Sequence, residues 1–252
     1  IITYHGLQVM NDKPRLAIQV LKNLKKVETI TSRTLAFQFG PLMNAAGRLK
    51  DADMAVRFLL SNDRQEAEKM AQILDATNAE RREKESEMIQ TALKLADEQK
   101  NNPALILVSP EFHEGVNGIV ATRLVESFYK PVLILSENEG KIKGSGRSIP
   151  ELNLKDVLSD CSDLLERFGG HAAAAGCSLI QENLEAFRVR FIALCDDRLP
   201  ASLVPKLQLD GTLDYPELNE QFVEQLNRLQ PFGEGNPEPL FSVNSPDSPF
   251  TI

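Results

Sequence analysis

The 252-residue chain is 42% hydrophobic and 25% charged, enough apolar material for ordinary globular cores and unlike a disordered or fibrous chain. Its 28 Lys/Arg against 36 Asp/Glu leave a net charge of −8, which excludes a uniformly basic DNA-coating protein but not a local basic groove. Residues 1–50 carry eight Lys/Arg and two Asp/Glu, a local +6 against −14 in the remainder, so a phosphate-bearing partner could be steered to one end. Cys161, Cys177 and Cys195 are widely spaced with no Cys-x-x-Cys pair. Neither a disulfide framework nor a zinc ribbon fits, and a reducing, cytoplasmic compartment is expected. No apolar run reaches the about 18 residues of a membrane span, and no signal peptide opens the chain. The first residue is Ile1, not Met, so a piece of a longer protein is expected.

In chain order, residues 14–30 read as a short amphipathic helix, followed by a turn-rich stretch through Thr31, Ser32 and Thr34. Gly40-Pro41 reads as a break before Asn44-Ala45-Ala46-Gly47-Arg48, and a second helix runs through Met54, Val56, Phe58 and Leu59. A long helix is predicted over 63–99, with Asp63 and Glu66 spaced as a capping box. Its apolar stripes sit at the two ends around a polar waist, Asn78 to Glu87. That pattern suits a helix bridging two bodies across solvent, roughly 55 Å long at 1.5 Å per residue.

Past Pro103 the texture becomes α/β. Strands are predicted at 104–108, 132–136 and 141–148, and helices at 115–128, 154–168 and 182–194. A Gly/Ala-rich turn and short strand occupy 169–180. From 201 a β-rich unit begins, with a strand at 207–213, a helix at 217–229 and the turn-rich Pro231–Pro237. It ends at Ile252 with too little chain for a third core.

Three glycine-marked turns could carry chemistry. Phe112–Gly118 puts His113 and orphan backbone N–H groups at a helix start, where an anion is favoured, with Arg123 two turns along. In Lys143-Gly144-Ser145-Gly146-Arg147-Ser148, small residues let main chain approach a ligand while Arg147 offers a bidentate fork to phosphate. In Phe168-Gly169-Gly170-His171, followed by four Ala and Gly176, small residues clear space around His171. The competing readings are a strand bulge at Gly144–Gly146 and satisfied structural histidines at 113 and 171. Neither a metal-ligand cluster nor a Gly-x-Ser-x-Gly nucleophile elbow is present. The expectation is a shared anion pocket formed by the loops around 113, 145 and 171.

Gly169-Gly170-His171 with the following alanines and Gly176 resembles the signature of the DHHA1 domain in the DHH phosphoesterase superfamily. The blocks Gly40–Leu49, His113–Leu124, Lys143–Ile149 and Pro231–Pro239 are similar, in order, to the single-stranded-DNA-specific exonucleases of the RecJ type. That resemblance implies four parts: the closing part of a DHH catalytic domain (1–60), a connecting helix (61–101), an α/β DHHA1 domain (102–200) and the start of an OB-type domain (201–252). It implies 5′-to-3′ digestion of single-stranded DNA in recombination and repair, with Mn²⁺ or Mg²⁺ as cofactor. A helicase and a single-strand-binding protein are the implied partners. The family's DNA-contacting groups fall on Arg48, Arg123, Ser145, Arg147, Gly169, Gly170 and His171, with His113 a further contact and His171 a candidate proton donor. The Asp-His-His sequence that holds the metals is absent here, so the chain by itself is expected to be inactive. The alternatives are a DHH–DHHA1 phosphodiesterase of short oligonucleotides or cyclic dinucleotides, and a non-catalytic nucleic-acid-binding module.

Overall fold

The computed structural model describes residues 1–244, so the end of the expected OB-type start, 245–252, lies outside the described residues. The chain divides into two compact units. One comprises 1–44, 52–75 and the chain from Lys206 on; the other comprises 45–51 and 76–205.

The first unit is mostly helical. Helix α1 (Ile2–Asp12) was not anticipated: it buries none of its residues, so its sequence carries no core stripe. Asn11 ties it down, its side chain accepting from Ile30 N–H and donating to Ile30 O. Helix α2 (Leu16–Lys25) buries Ala17, Val20 and Leu21 and stops at Lys26, which turns left-handed at φ 53°. The short α3 (Ser32–Thr34), capped by Thr31, runs through a π-helical turn at Leu35–Phe39 into α4 (Gly40–Leu49). The expected break at Gly40-Pro41 is therefore a passage. Gly40 N–H reaches back five residues to Leu35 O, a spacing that accommodates the donor Pro41 lacks. Helix α5 (Asp53–Leu60) packs on α2 with Phe58 fully buried.

Helix α6 (Arg64–Glu98) contributes its first turns to this unit and the rest to the second. Asp63 caps it, accepting from Glu66 N–H at 2.8 Å. The expected solvated waist, Asn78 to Glu87, is mostly exposed, but Asn78 and Arg81 within it are buried. Arg81 Nε donates to Asn78 Oδ1 (3.2 Å) and its Nη1 to Glu85 Oε2 (2.6 Å), pairings that helical spacing brings together.

The second unit is an α/β/α sandwich around a five-stranded sheet. Its strands are β1 (Leu105–Ser109), β2 (Val132–Asn138), β3 (Lys141–Arg147), β4 (Arg167–Gly170) and β5 (Ala174–Ile180), in the order β1-β2-β3-β5-β4. Only β1 and β2 run parallel, joined by α7 (Glu114–Phe128); the other neighbours are antiparallel. A tight turn at Glu139-Gly140, both at positive φ, links β2 to β3 as two-residue hairpins prefer. Alternation along β1 and β2 divides the core. Leu105, Leu107, Val132 and Ile134 face α7 and the end of α6, while Ile106, Leu133 and Leu135 face the other way. There they meet α8 (Leu154–Ser159) and α9 (Leu184–Arg198), with Phe187, Phe191 and the three cysteines filling the layer. The predicted helix 154–168 stops at Ser159, because Arg167–Gly170 is an edge strand; all four of its residues are exposed, so it shows no apolar alternation.

In the remaining part, β6 (Gly211–Asp214) pairs parallel with β7 (Phe241–Asn244), and α10 (Glu220–Asn227) lies between them in sequence. The strand expected at 207–213 is thus shorter and later. Asn236 Nδ2 donates to Leu229 O and Pro231 O, pinning the proline-rich turn.

Candidate nucleic-acid interface

The sheet's α7 side is only partly roofed, since α7 lies over β2 and β3. Register sets what the uncovered part displays. One cross-strand row is Ile134, Ser145, Gly176, Gly169; the next is Ser136, Lys143, Ser178, Arg167; and Arg147 stands opposite Val132 on one side and Ala174 on the other. The result is a hollow of about 340 Å³ floored by residues 143–145 and 176–178, with Glu114 and Asn117 of α7 and Arg167 of β4 on its walls.

Ser145 and Arg147 therefore share one face, as period two demands. The glycines on either side of Ser145 serve the opposite face: a Cβ on Gly144 would fall 2.1 Å from Leu135 Cδ2, and one on Gly146 2.5 Å from Leu133 Cδ2. Their missing Cβ atoms make room for core leucines, while the Gly144 main chain still floors the hollow. Gly169 pairs with Gly176, and Gly170, at φ 136°, turns the chain into His171. His171 N–H donates to Ala174 O at 2.7 Å, closing the β4–β5 hairpin beside the Arg147–Ala174 row; its ring is exposed at that corner.

Arg48 arrives from the C-terminal turn of α4. Its Nη1 donates to Gly115 O at 3.0 Å, and its backbone presses on the first turn of α7 so closely that a Cβ on Gly115 would lie 2.1 Å from Arg48 O. The Arg147 guanidinium lies against the same helix, 2.9 Å from where a Cβ on Gly118 would be. Arg147 spends one N–H on Gly146 O. Among the described residues neither arginine forms an ion pair. Burial lowers the Arg147 pKa below its ordinary value, and the nearby Arg48 charge pushes the same way. Arginine stays charged regardless, so two uncompensated cations stand together and an anion would relieve both.

His113 does not join them. Its Nδ1 accepts from Gly115 N–H (3.1 Å), and its carbonyl takes the N–H groups of Val116 and Asn117. The helix start expected to offer free amides has largely capped itself, and His113 lines a separate hollow with Lys84, Met88 and Phe112. Arg123 is likewise elsewhere, 3.3 Å from Glu126 and 3.9 Å from Glu85 and largely exposed. Of the three expected turns, those at 145 and 169–171 share a sheet. The one at 113 contributes through Glu114 and Asn117, which composition and motif did not single out. Lys143, paired with Glu114 at 3.1 Å, and Arg167 were also missed, although their place opposite Ser178 follows from the pairing of β3, β5 and β4. Among the described residues no three His, Cys, Asp or Glu side chains gather as a metal would require. Nor is any helix among them long and apolar enough to cross a membrane.

A mixed sheet with a glycine-glycine-histidine edge hairpin and one helix laid on the exposed rows defines a DHHA1 domain, and residues 101–197 match that domain's family model. Residues 209–248 match the RecJ OB domain. The chain belongs to the RecJ family. It is 35% identical to the single-stranded-DNA-specific exonuclease RecJ of Bacillus subtilis over 95% of this chain and 31% of that protein. It is 37% identical to the Salmonella typhimurium protein of the same name over 96% of this chain and 44% of that one. Among solved structures, Thermus thermophilus RecJ in complex with Mn²⁺ superposes with a TM-score of 0.86 at 34% identity, covering 96% of this chain and 36% of that one. The same organism's RecJ with Mg²⁺ gives 0.83 at 35%, covering 94% and 37%. The chain thus spans less than half the length of these relatives.

Proposed function

We propose that this chain is the strand-gripping part of a single-stranded-DNA-specific 5′-to-3′ exonuclease of recombination and repair, cytoplasmic, and supplied with single strands by a helicase and a single-strand-binding protein. The observation that carries the reading is the unpaired Arg48–Arg147 couple beside Ser145 on an uncovered, small-residue sheet face. Arg48 and Arg147 hold a backbone phosphate from two sides, Ser145 donates its hydroxyl to a phosphate oxygen, and His171 and the Gly169–Gly170 backbone line the strand's exit along the hairpin. Arg123 contributes a more distant, solvent-screened contact, and His113 acts through the cap that sets the start of α7. Holding the phosphate in one orientation converts hydrolysis into attack on a fixed target, a contribution that needs no nucleophile on this domain.

Relatives of this chain have been solved with Mn²⁺ and Mg²⁺. In the whole protein such ions would supply an activated water, held by the Asp-His-His residues this chain does not contain. Among the described residues no cluster of His, Cys, Asp or Glu side chains fits a metal. The 252-residue chain by itself is expected to leave single-stranded DNA intact in Mn²⁺; metal-dependent shortening of a 5′-labelled strand by fragment freed of host nucleases would overturn that.

The test of the grip is direct binding. Fluorescence anisotropy with a 5′-phosphorylated single strand should show the chain binding in a salt-dependent manner. Arg147→Ala removes a charged bidentate donor set worth roughly 1.5–3 kcal/mol, so affinity should fall about ten- to hundredfold. Affinity within twofold of the parent chain would remove Arg147 from the contact.

A further inference from the structure

We infer that Asn117 accepts a hydrogen bond from the pairing edge of an unpaired nucleobase seated in the hollow over Ser145 and Ser178. The inference rests on the single-strand reading above and adds a base-sensing residue to it.

Asn117 stands in the second turn of α7 and is 1% exposed. One end of its carboxamide is fixed, Nδ2 donating to Ser136 Oγ at 2.6 Å, and Ser136 is itself buried. The other end, Oδ1, is buried without a hydrogen-bond partner, and the residue lines the 340 Å³ hollow. A buried acceptor left unsatisfied is destabilising, and a donor arriving with a ligand would relieve that cost. Ser136 stands opposite Lys143 on β3, so the anchored amide lies over the same row of the sheet that ends in Arg167.

The chemistry of a DNA strand decides which donor. Phosphate and ester oxygens only accept, and an internal deoxyribose has no free hydroxyl. The donors left are base N–H groups. Each of the four bases carries at least one on its pairing edge: the amino groups of adenine and cytosine, N1–H and the amino group of guanine, and N3–H of thymine. One rigid acceptor therefore registers that a base is present without reading which base it is. In a duplex the same N–H groups are engaged by the partner strand. The contact thus favours unpaired DNA through hydrogen bonding, apart from any steric gate.

The experiment uses the 252-residue chain and a 5′-phosphorylated, 3′-fluorescein-labelled single strand of twelve nucleotides. An abasic tetrahydrofuran residue is moved along the strand, and affinity is measured for the parent chain and for Asn117→Leu, similar in size but without the acceptor. One position is expected at which the abasic residue costs the parent chain about five- to tenfold and costs Asn117→Leu nothing. N3-methylthymine at that position, which lacks the donor, should weaken parent binding as the abasic residue does. Ser136→Ala, which unties the amide and keeps Oδ1, should shrink the base-dependent difference and stands in if circular dichroism shows Asn117→Leu unfolded. Equal losses for Asn117→Leu on abasic and intact strands would assign the residue to the backbone, and no loss anywhere would make it a packing residue; either overturns this inference and leaves the phosphate grip standing. If the parent chain binds no strand, or binds as well with Arg147→Ala, the grip itself fails and this inference with it.

Discussion

On the α8/α9 side of the five-stranded sheet, Phe187, Phe191, Cys161 and Cys195 are fully buried, and Arg188 of α9 reaches in from the edge, its Nη1 donating to Ile106 O. On the α7 side, the same strands β3, β5 and β4 present Ser145, Lys143, Ser178 and Arg167 to a hollow, with Arg147 on the same face against α7. Both surfaces are written by alternate residues of one strand, so stability and recognition are assigned to interleaved positions. Gly144 and Gly146 belong to the dry face and Ser145 and Arg147 to the wet one. Changes on one face should therefore leave the other's property largely intact, and each experiment below tries to break that separation.

The largest effect is expected from the dry face. Phe191 is fully buried and its ring lies 5.6 Å from that of Phe187. Phe191→Ala should cost about 3–5 kcal/mol of stability through lost burial and the cavity left behind. Chemical denaturation followed by circular dichroism measures the cost. At a temperature where the variant remains folded, its affinity for a phosphorylated single strand should match the parent chain's. A parallel loss of affinity would mean that the dry layer sets the position of Arg147 and that the two faces are not independent.

How much of this was readable beforehand follows the same division. The α/β class, the long capped helix and the inner strands were legible because buried strands and amphipathic helices leave periodic apolar signals. The blocks holding Arg48, Ser145, Arg147 and Gly169–His171 were legible through their resemblance to a known family. The edge strand β4 was not, because all its residues face solvent and it inherited the helix expected before it. Helix α1 buries nothing, so it was invisible for the same reason. Asn117 was hidden inside a run that otherwise looks like the packing face of a helix. Only the structure shows that its amide sits where α7 meets β2 and the hollow together. His113 misled in the other direction: a histidine before a glycine-rich helix start suggests a ligand, yet here its ring serves as the cap. Composition can announce a helix terminus, but it cannot say whether the terminal amides are already satisfied.

The smallest effect sharpens the comparison through the thiols. Burial pushes Cys161 up to about 11 and Cys177 and Cys195 up to about 12, the Cys161 thiolate adding to the rise at the latter two. At pH 7.5 all three should therefore resist a thiol reagent in the folded chain and react once it is unfolded in guanidinium, as mass spectrometry of maleimide adducts would register. The sign for stability follows from proton binding. Between an unfolded thiol pKa of about 8.5 and the folded values, the folded chain holds more protons than the unfolded one. The stabilisation is complete below the unfolded value and declines as pH rises toward 11–12. Denaturation midpoints should fall steadily above about pH 8.5, and Cys177→Ala should flatten that slope even though it also removes some packing. A slope unchanged in the Ala variant would mean that groups other than this buried thiol carry the alkaline loss. Rapid labelling at neutral pH would mean that the α8/α9 layer opens on the timescale of the reagent, and so is not the closed face the comparison requires.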